Sequence, residues 1–289
     1  MKIYNAVLTG SRVLVLGPSF AALDVCRAVL GIAQLLAPPF SGILPRTFPY
    51  ANLTDLEFLS VPGYIAGVTN PMFQGKKEWW DVLCDLSCGN IILNGVEFDE
   101  CDTIDRDFAV KVIQGVESQF SEEWVRAMFE DYTKTQIIKL AFGEAISRNP
   151  DIQSRHVAIN NKRITKWAST ECFKKYKEYR DSHKAPVWAR HVDELILGDL
   201  KDIKYVEEMY SNFVEHLVDE RTIQDFLADL PEMKGGVHLL AQGLFSPSQQ
   251  VQQHTVEILN RIQSFPCTRE VIRSLNTFLT LAYDHHPAR

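Results

Sequence analysis

Residues 12–22, RVLVLGPSFAA, set a run of apolar, largely β-branched side chains against a Gly-Pro break and the start of a helical pattern. A strand, a tight turn and a helix in that order can hang a phosphate on the helix N-terminus, where unpaired backbone N–H groups converge. The chemistry needs glycines, so that the backbone can approach the anion. Here the second and third glycines of G-x-G-x-x-G are replaced by Ser19 and Ala22, and no Lys-Ser/Thr pair follows as in a P-loop. Phe20 would occupy the space a pyrophosphate needs. The unit therefore reads as scaffolding, and no cofactor-binding residue is expected in it.

Other residue clusters give no stronger chemical signal. Cys84 and Cys88 form a C-x3-C pair, but no second Cys or His pair stands nearby to complete a tetrahedral metal site, so no metal ligand is expected. The acidic stretch 97–107, EFDECDTIDRD, has no glycine at the sharp bend of a calcium loop and reads as a solvated connector. There is no G-x-S-x-G, no H-E-x-x-H and no glycine-flanked cysteine with an obvious histidine partner, so no catalytic residue is expected. His285-His286 lies in the tail DHHPAR, where a frayed end is the simpler reading.

One segment departs from the chain's acidic balance. The protein has 289 residues and a formal net charge of -7, which disfavours non-specific nucleic-acid binding. Between Arg155 and Arg190, however, ten Lys or Arg stand against three Asp or Glu. FKKYKEYR interleaves Lys174, Lys175, Lys177 and Arg180 with aromatics. Two readings stay open: an exposed helix face with snorkelling stems, or a surface for acidic lipid headgroups or an acidic partner.

The elements that position these residues fall into two regions. Residues 12–16, 64–68 and 90–95 read as strands, with a helix over 20–36 that Ser19 could cap and that is apolar around most of its circumference, hence buried. Thr54 could cap a helical turn in LTDLEFLS. Strand, helix and strand with long connections favour an α/β layer with parallel pairing. From Ser121 onward only helices are expected. The first ends at Asn149-Pro150, a polar connector covers 151–163, and further helices run over 165–181, 186–197, 202–218, 222–229, 235–244, 248–264 and 268–283. The expected fold is thus α/β, a partly parallel sheet layer over 1–120 followed by an all-helical region over 121–289. No apolar run is long enough to span a bilayer, and the first residues carry no cleavage signature, so a cytoplasmic protein with reduced thiols is expected.

The stretch VLVLGPSFAALDVCRAVLG, with FPY, PGYIAGVTNP and WWDVLCD after it, resembles the central segment of the DENN domain superfamily. It is most similar to the fungal Stabilization of Polarity Axis branch, the Arf-interacting polarity proteins of MesA type. LPEMKGGVHLLAQGLFSPSQQVQQHTVEILNRI resembles the helical C-terminal part of the same branch. Against that pattern, the resemblance begins at about the hinge into the second lobe, so a fragment or a shortened protein without the N-terminal longin-like lobe is expected. The resemblance implies an adaptor for a small GTPase of Arf or Rab type in vesicle traffic and polarity, with peripheral localisation at polarised membranes. Guanine-nucleotide exchange is expected only together with an N-terminal lobe in cis or in trans. Ligands of doubly wound sheets gather outside the carboxyl ends of strands, so two readings of Thr69, Asn70 and Pro71 stay open: a turn that merely closes the strand, or the partner contact. The alternatives are a scaffold with no GTPase link and a Rossmann-like nucleotide-dependent enzyme.

Overall fold

A computed structural model describes residues 1–98, 102–183, 185–198 and 200–287. The chain divides into two compact units, Met1–His183 and Lys184–Arg289. The expected boundary at 120/121 falls inside the first unit, because the helices after it complete the sheet's core: Tyr132, Ile137, Trp167 and Cys172 pack with Tyr4, Phe40 and the inner faces of the strands.

The first unit opens with α1 (Lys2–Leu8), followed by β1 (Val13–Leu16) and α2 (Ala22–Gln34). Next come the short β2 (Thr47–Phe48), β3 (Ile65–Val68), α3 (Met72–Gly75), β4 (Val82–Asp85) and β5 (Asn90–Leu93). The sheet order is β2-β3-β1-β4-β5, with every pair parallel except the antiparallel β4–β5 hairpin. β1 and β3 are buried at every position, as their unbroken apolar sequences require of strands covered on both faces. Val13 and Val15 meet α2 on one face. Leu14 and Leu16 meet Phe58, Phe73 and Trp80 on the other.

Several local expectations are corrected by this packing. α2 is not buried all round: Val25, Val29 and Ala33 face the sheet, while Leu23 and Leu30 are exposed, because only one side of the helix has a layer to lie on. Ser19 does not cap it; Ala21 stands at the cap with no side-chain hydrogen bond. Thr54 caps no helix either, since its hydroxyl and N–H both donate to the Asn52 side chain. The segment around 82–85, given no element from its sequence, is β4, and 90–93 returns beside it as an edge strand.

The acidic stretch is not simply a solvated connector. Its residues 99–101 lie outside those described, but Asp102 caps α4 (Thr103–Glu117), accepting from the N–H groups of Ile104 and Asp105. Asp105 itself is buried. After α5 (Glu122–Thr133), a wider π-type turn over Lys134–Lys139 carries the chain to Gly143, where φ is +73°. Asn149-Pro150 starts a helix rather than ending one. The Asn149 side chain accepts from the N–H groups of Asp151 and Ile152, and proline at the first helical position removes a donor that would be unpaired anyway. So 151–163 belongs to α6 (Pro150–Ala168), and Thr170 caps a separate α7 (Glu171–Ser182).

The second unit holds α8 (Ala189–Leu197), α9 (Ile203–His216), α10 (Glu220–Asp229), α11 (Val237–Ala241), α12 (Gln249–Ser264), α13 (Arg269–Arg273) and α14 (Thr277–Asp284). Met209, Phe213, Phe226, Leu240, Val256 and Leu259 form the middle of its own core. Among the described residues no helix is long and apolar enough to cross a membrane.

Candidate partner-docking site

At the end of β1 the Gly17 N–H donates to the Val68 carbonyl at 2.9 Å, which ties the glycine turn to the end of β3. A Cβ on Gly17 would lie 2.7 Å from Val25 Cγ2 and 3.2 Å from Phe20 Cβ. The glycine is needed so that α2 can close onto the strand. Gly67, in β3, serves the same end. A Cβ there would meet the Pro49 carbonyl oxygen at 2.4 Å, Val25 Cγ1 at 2.7 Å and Val29 Cγ2 at 2.9 Å. The N-terminus of α2 thus has neither a cradle of glycines nor a lysine in its turn.

The two strands leave the sheet in opposite directions. β1 continues into α2, on the face of Val13 and Val15, whereas β3 continues through α3 to Phe73 and Trp80 on the face of Leu14 and Leu16. Adjacent strands whose connections part in this way open a crevice outside their carboxyl ends, the usual ligand position in such sheets. Thr69, Asn70 and Pro71 form its β3 side. The Asn70 side chain accepts from the Met72 N–H at 2.9 Å, and the hydroxyls of Thr69 and Tyr50 are 2.9 Å apart. Both are local bonds that hold the loop without using up its outer surface.

Large apolar side chains on both sides of the crevice are turned to solvent: Met72 and Tyr50, bonded to Asn70 and Thr69, are 60% and 41% exposed, and Phe20 and Leu23, in the turn and first helical turn after β1, are 42% and 58% exposed. The sequence reading placed Thr69–Pro71 but passed over these four. Phe20 and Leu23 follow directly on the Gly-Pro break, whereas Tyr50 and Met72 come to the loop only through the fold. A rim of exposed apolar residues around hydrogen-bonding groups suits protein association, in which aromatic and Met side chains are enriched.

The basic segment is less free than its composition suggests. Arg163 is buried against Asp105, with nitrogen and oxygen 3.1 Å apart. Lys174 pairs with Glu171 at 2.5 Å, a contact that raises the ammonium's pKa. Arg180 pairs with Glu144 at 2.6 Å and lies 3.9 Å over the Phe142 ring. Lys175 and Lys177 are exposed on α7. Beside α6 a cleft of about 180 Å³ brings Lys162, Arg163 and Lys166 together with Glu97, Asp102 and Asp105, a balanced set of charges. Among the described residues no group of three His, Cys, Asp or Glu side chains converges to hold a metal ion.

Residues 1–95 match the protein family described as Stabilization of polarity axis, so the sheet and its crevice lie within the matched part. The chain is also similar to an AFI1-like protein of the fission yeast Schizosaccharomyces pombe. The two are 24% identical over 329 aligned positions, which cover 94% of this chain and 52% of the relative. The chain thus spans about half the length of the curated relative it matches. No solved structure matches it. These findings define a chain similar to the polarity family through its α/β layer, and the fission yeast protein gives that similarity a particular relative.

Proposed function

We propose that the chain is a protein-binding module of cell polarity that docks a small GTPase of Arf or Rab type at the crevice between β1 and β3. The observation that carries this reading is the crevice itself. It lies at the ligand position of a doubly wound sheet, is ringed by exposed apolar side chains, and has no anion cradle beneath it. Its place within the stretch matched to a polarity family supports the cellular role, and the resemblance to DENN modules supports the GTPase class. A Rossmann-like enzyme fits poorly, since Ser19 and Ala22 stand where a phosphate cradle needs glycines and no lysine follows in the turn. The test is a pull-down against a panel of Arf and Rab proteins in both nucleotide states. Retention of one of them in a nucleotide-dependent manner is expected. Retention of none, with the chain folded, would leave a scaffold without a GTPase link.

The same reading places the module beside membranes, with Lys174, Lys175 and Lys177 on α7 facing acidic headgroups. Each base near such a surface contributes about 1 kcal/mol at most, and salt screens it. Flotation with phosphatidylserine vesicles is expected to show weak binding that disappears at high salt. Equal binding to neutral vesicles would contradict the electrostatic origin.

A further inference from the structure

β5 is the outer strand of the sheet, antiparallel to β4, with Leu83 opposite Ile92 and Val82 opposite Leu93. Along an antiparallel ladder, pairs that exchange hydrogen bonds alternate with pairs that do not. The Asn94 N–H donates to the Asp81 carbonyl at 2.8 Å, one step beyond Val82–Leu93. The bonded pairs are therefore Asp81–Asn94, Leu83–Ile92 and Asp85–Asn90. Ile91 and Leu93 turn their N–H and C=O groups away from β4, and no other described residue bonds to those groups.

Natural sheets blunt such edges with lysine, proline or a bulge. This edge has none of these: from Ser87 to Val96 the sequence is SCGNIILNGV, without a charge or a proline. Ile92, on the opposite face from Ile91 and Leu93, is 38% exposed.

We propose that β5 pairs with the β5 of a second copy of this chain, about a two-fold axis at Ile92. The spacing is self-complementary. In the antiparallel register that sets Ile92 against its own copy, Ile91 of each strand faces Leu93 of the other, so all four outward N–H groups meet outward carbonyls. The Ile92 pair is then a non-hydrogen-bonded one, the kind in which facing side chains come closest, and each covers the other's exposed surface. An uncharged strand meets itself without repulsion, and a two-fold contact closes with no further free edge at β5. The proposal is independent of the GTPase reading, since the crevice lies at the ends of β1 and β3.

Four backbone bonds and one apolar pair make a small contact, so a dissociation constant on the order of 100 µM is expected. Sedimentation velocity across a concentration series should show a monomer–dimer equilibrium. Residue-resolved amide exchange should show Ile91 and Leu93 slowing as concentration rises, with Asn90 and Ile92 unchanged. Ile92→Lys sets two ammonium groups face to face and should abolish the dimer without altering thermal melting, while Val110→Lys, at an exposed site on α4, should leave it intact. A chain that stays monomeric at about 0.5 mM would overturn the proposal. So would a dimer that survives Ile92→Lys, or protection of Ile91 and Leu93 that appears only when a different protein is added.

Discussion

Replacing Asp105 with alanine is expected to destabilise the first unit by about 3–5 kcal/mol, because it leaves a buried guanidinium without its counter-charge. The Arg163 and Asp105 side chains are only 10% and 6% exposed. Arg163 also donates to the Tyr132 hydroxyl at 2.6 Å, to Asn160 Oδ1 at 2.5 Å and to Asn5 Oδ1 at 3.3 Å, while the Tyr132 hydroxyl donates to Asp105. One cluster thus fastens α4, α5 and α6 to α1. Burial alone would lower the arginine's pKa, but Tyr132 and Asp105 outweigh it and hold the guanidinium charged; burial is the main cause that keeps the Tyr132 hydroxyl protonated. Urea unfolding should show the midpoint falling with an unchanged slope. Adding Arg163→Met should recover much of the loss, since removing both charges leaves no orphan. A loss below about 1 kcal/mol for Asp105→Ala would show that the pair does not hold these helices.

Gly67→Ala is the second substitution with a large expected effect, about 2–3 kcal/mol, because the added methyl would overlap the Pro49 carbonyl oxygen and two valines of α2. Gly17→Ala should cost less, since its nearest obstacle is one side-chain methyl of Val25 and not a backbone atom together with two valines. The comparison also separates two roles for Gly17. A packing glycine changes the melting temperature when replaced and leaves nucleotide affinity at zero before and after. A phosphate-binding glycine would change ligand binding first. Melting curves of the two variants, with and without ATP, GTP and NAD, make the distinction.

Much of the sheet was legible because its strands carry their burial in their composition. VLVL and IAGV have no polar alternation, and the Gly-Pro and Asn-Pro breaks after them end the pattern. β4 was harder, since Asp81 and Asp85 flank three apolar residues and nothing local states that a parallel partner waits on one side and a hairpin on the other. The α6 start was misread because Asn-Pro marks a helix beginning as well as a break, and only the chain's later path decides which. Asp105 was invisible for a different reason. Its partner Arg163 lies 58 residues away, and within EFDECDTIDRD nothing distinguishes a carboxylate that turns inward from those that stay in water.

The candidate site was half legible. Thr69–Pro71 followed from a rule about strand ends, but Tyr50 reaches it only through the β2–β3 pairing, and Met72 shows itself as a contact only once α3 turns its first residue outward. In the basic segment, composition counts charges and cannot subtract those that Asp105, Glu144 and Glu171 already hold.

The claim that the strand-turn-helix is a scaffold for docking at the crevice is tested most directly by titrating the retained GTPase against two variants. Met72→Asp puts a charge in the middle of the exposed rim, at the first position of α3, where an acid does not disturb the helix. Phe278→Asp puts the same charge on a residue of α14 that is 79% exposed and lies in the other unit. Calorimetry is expected to show Met72→Asp weakening binding by about tenfold or more and Phe278→Asp leaving it unchanged. Equal affinities for wild type and Met72→Asp, with both folded, would contradict the assignment of the crevice.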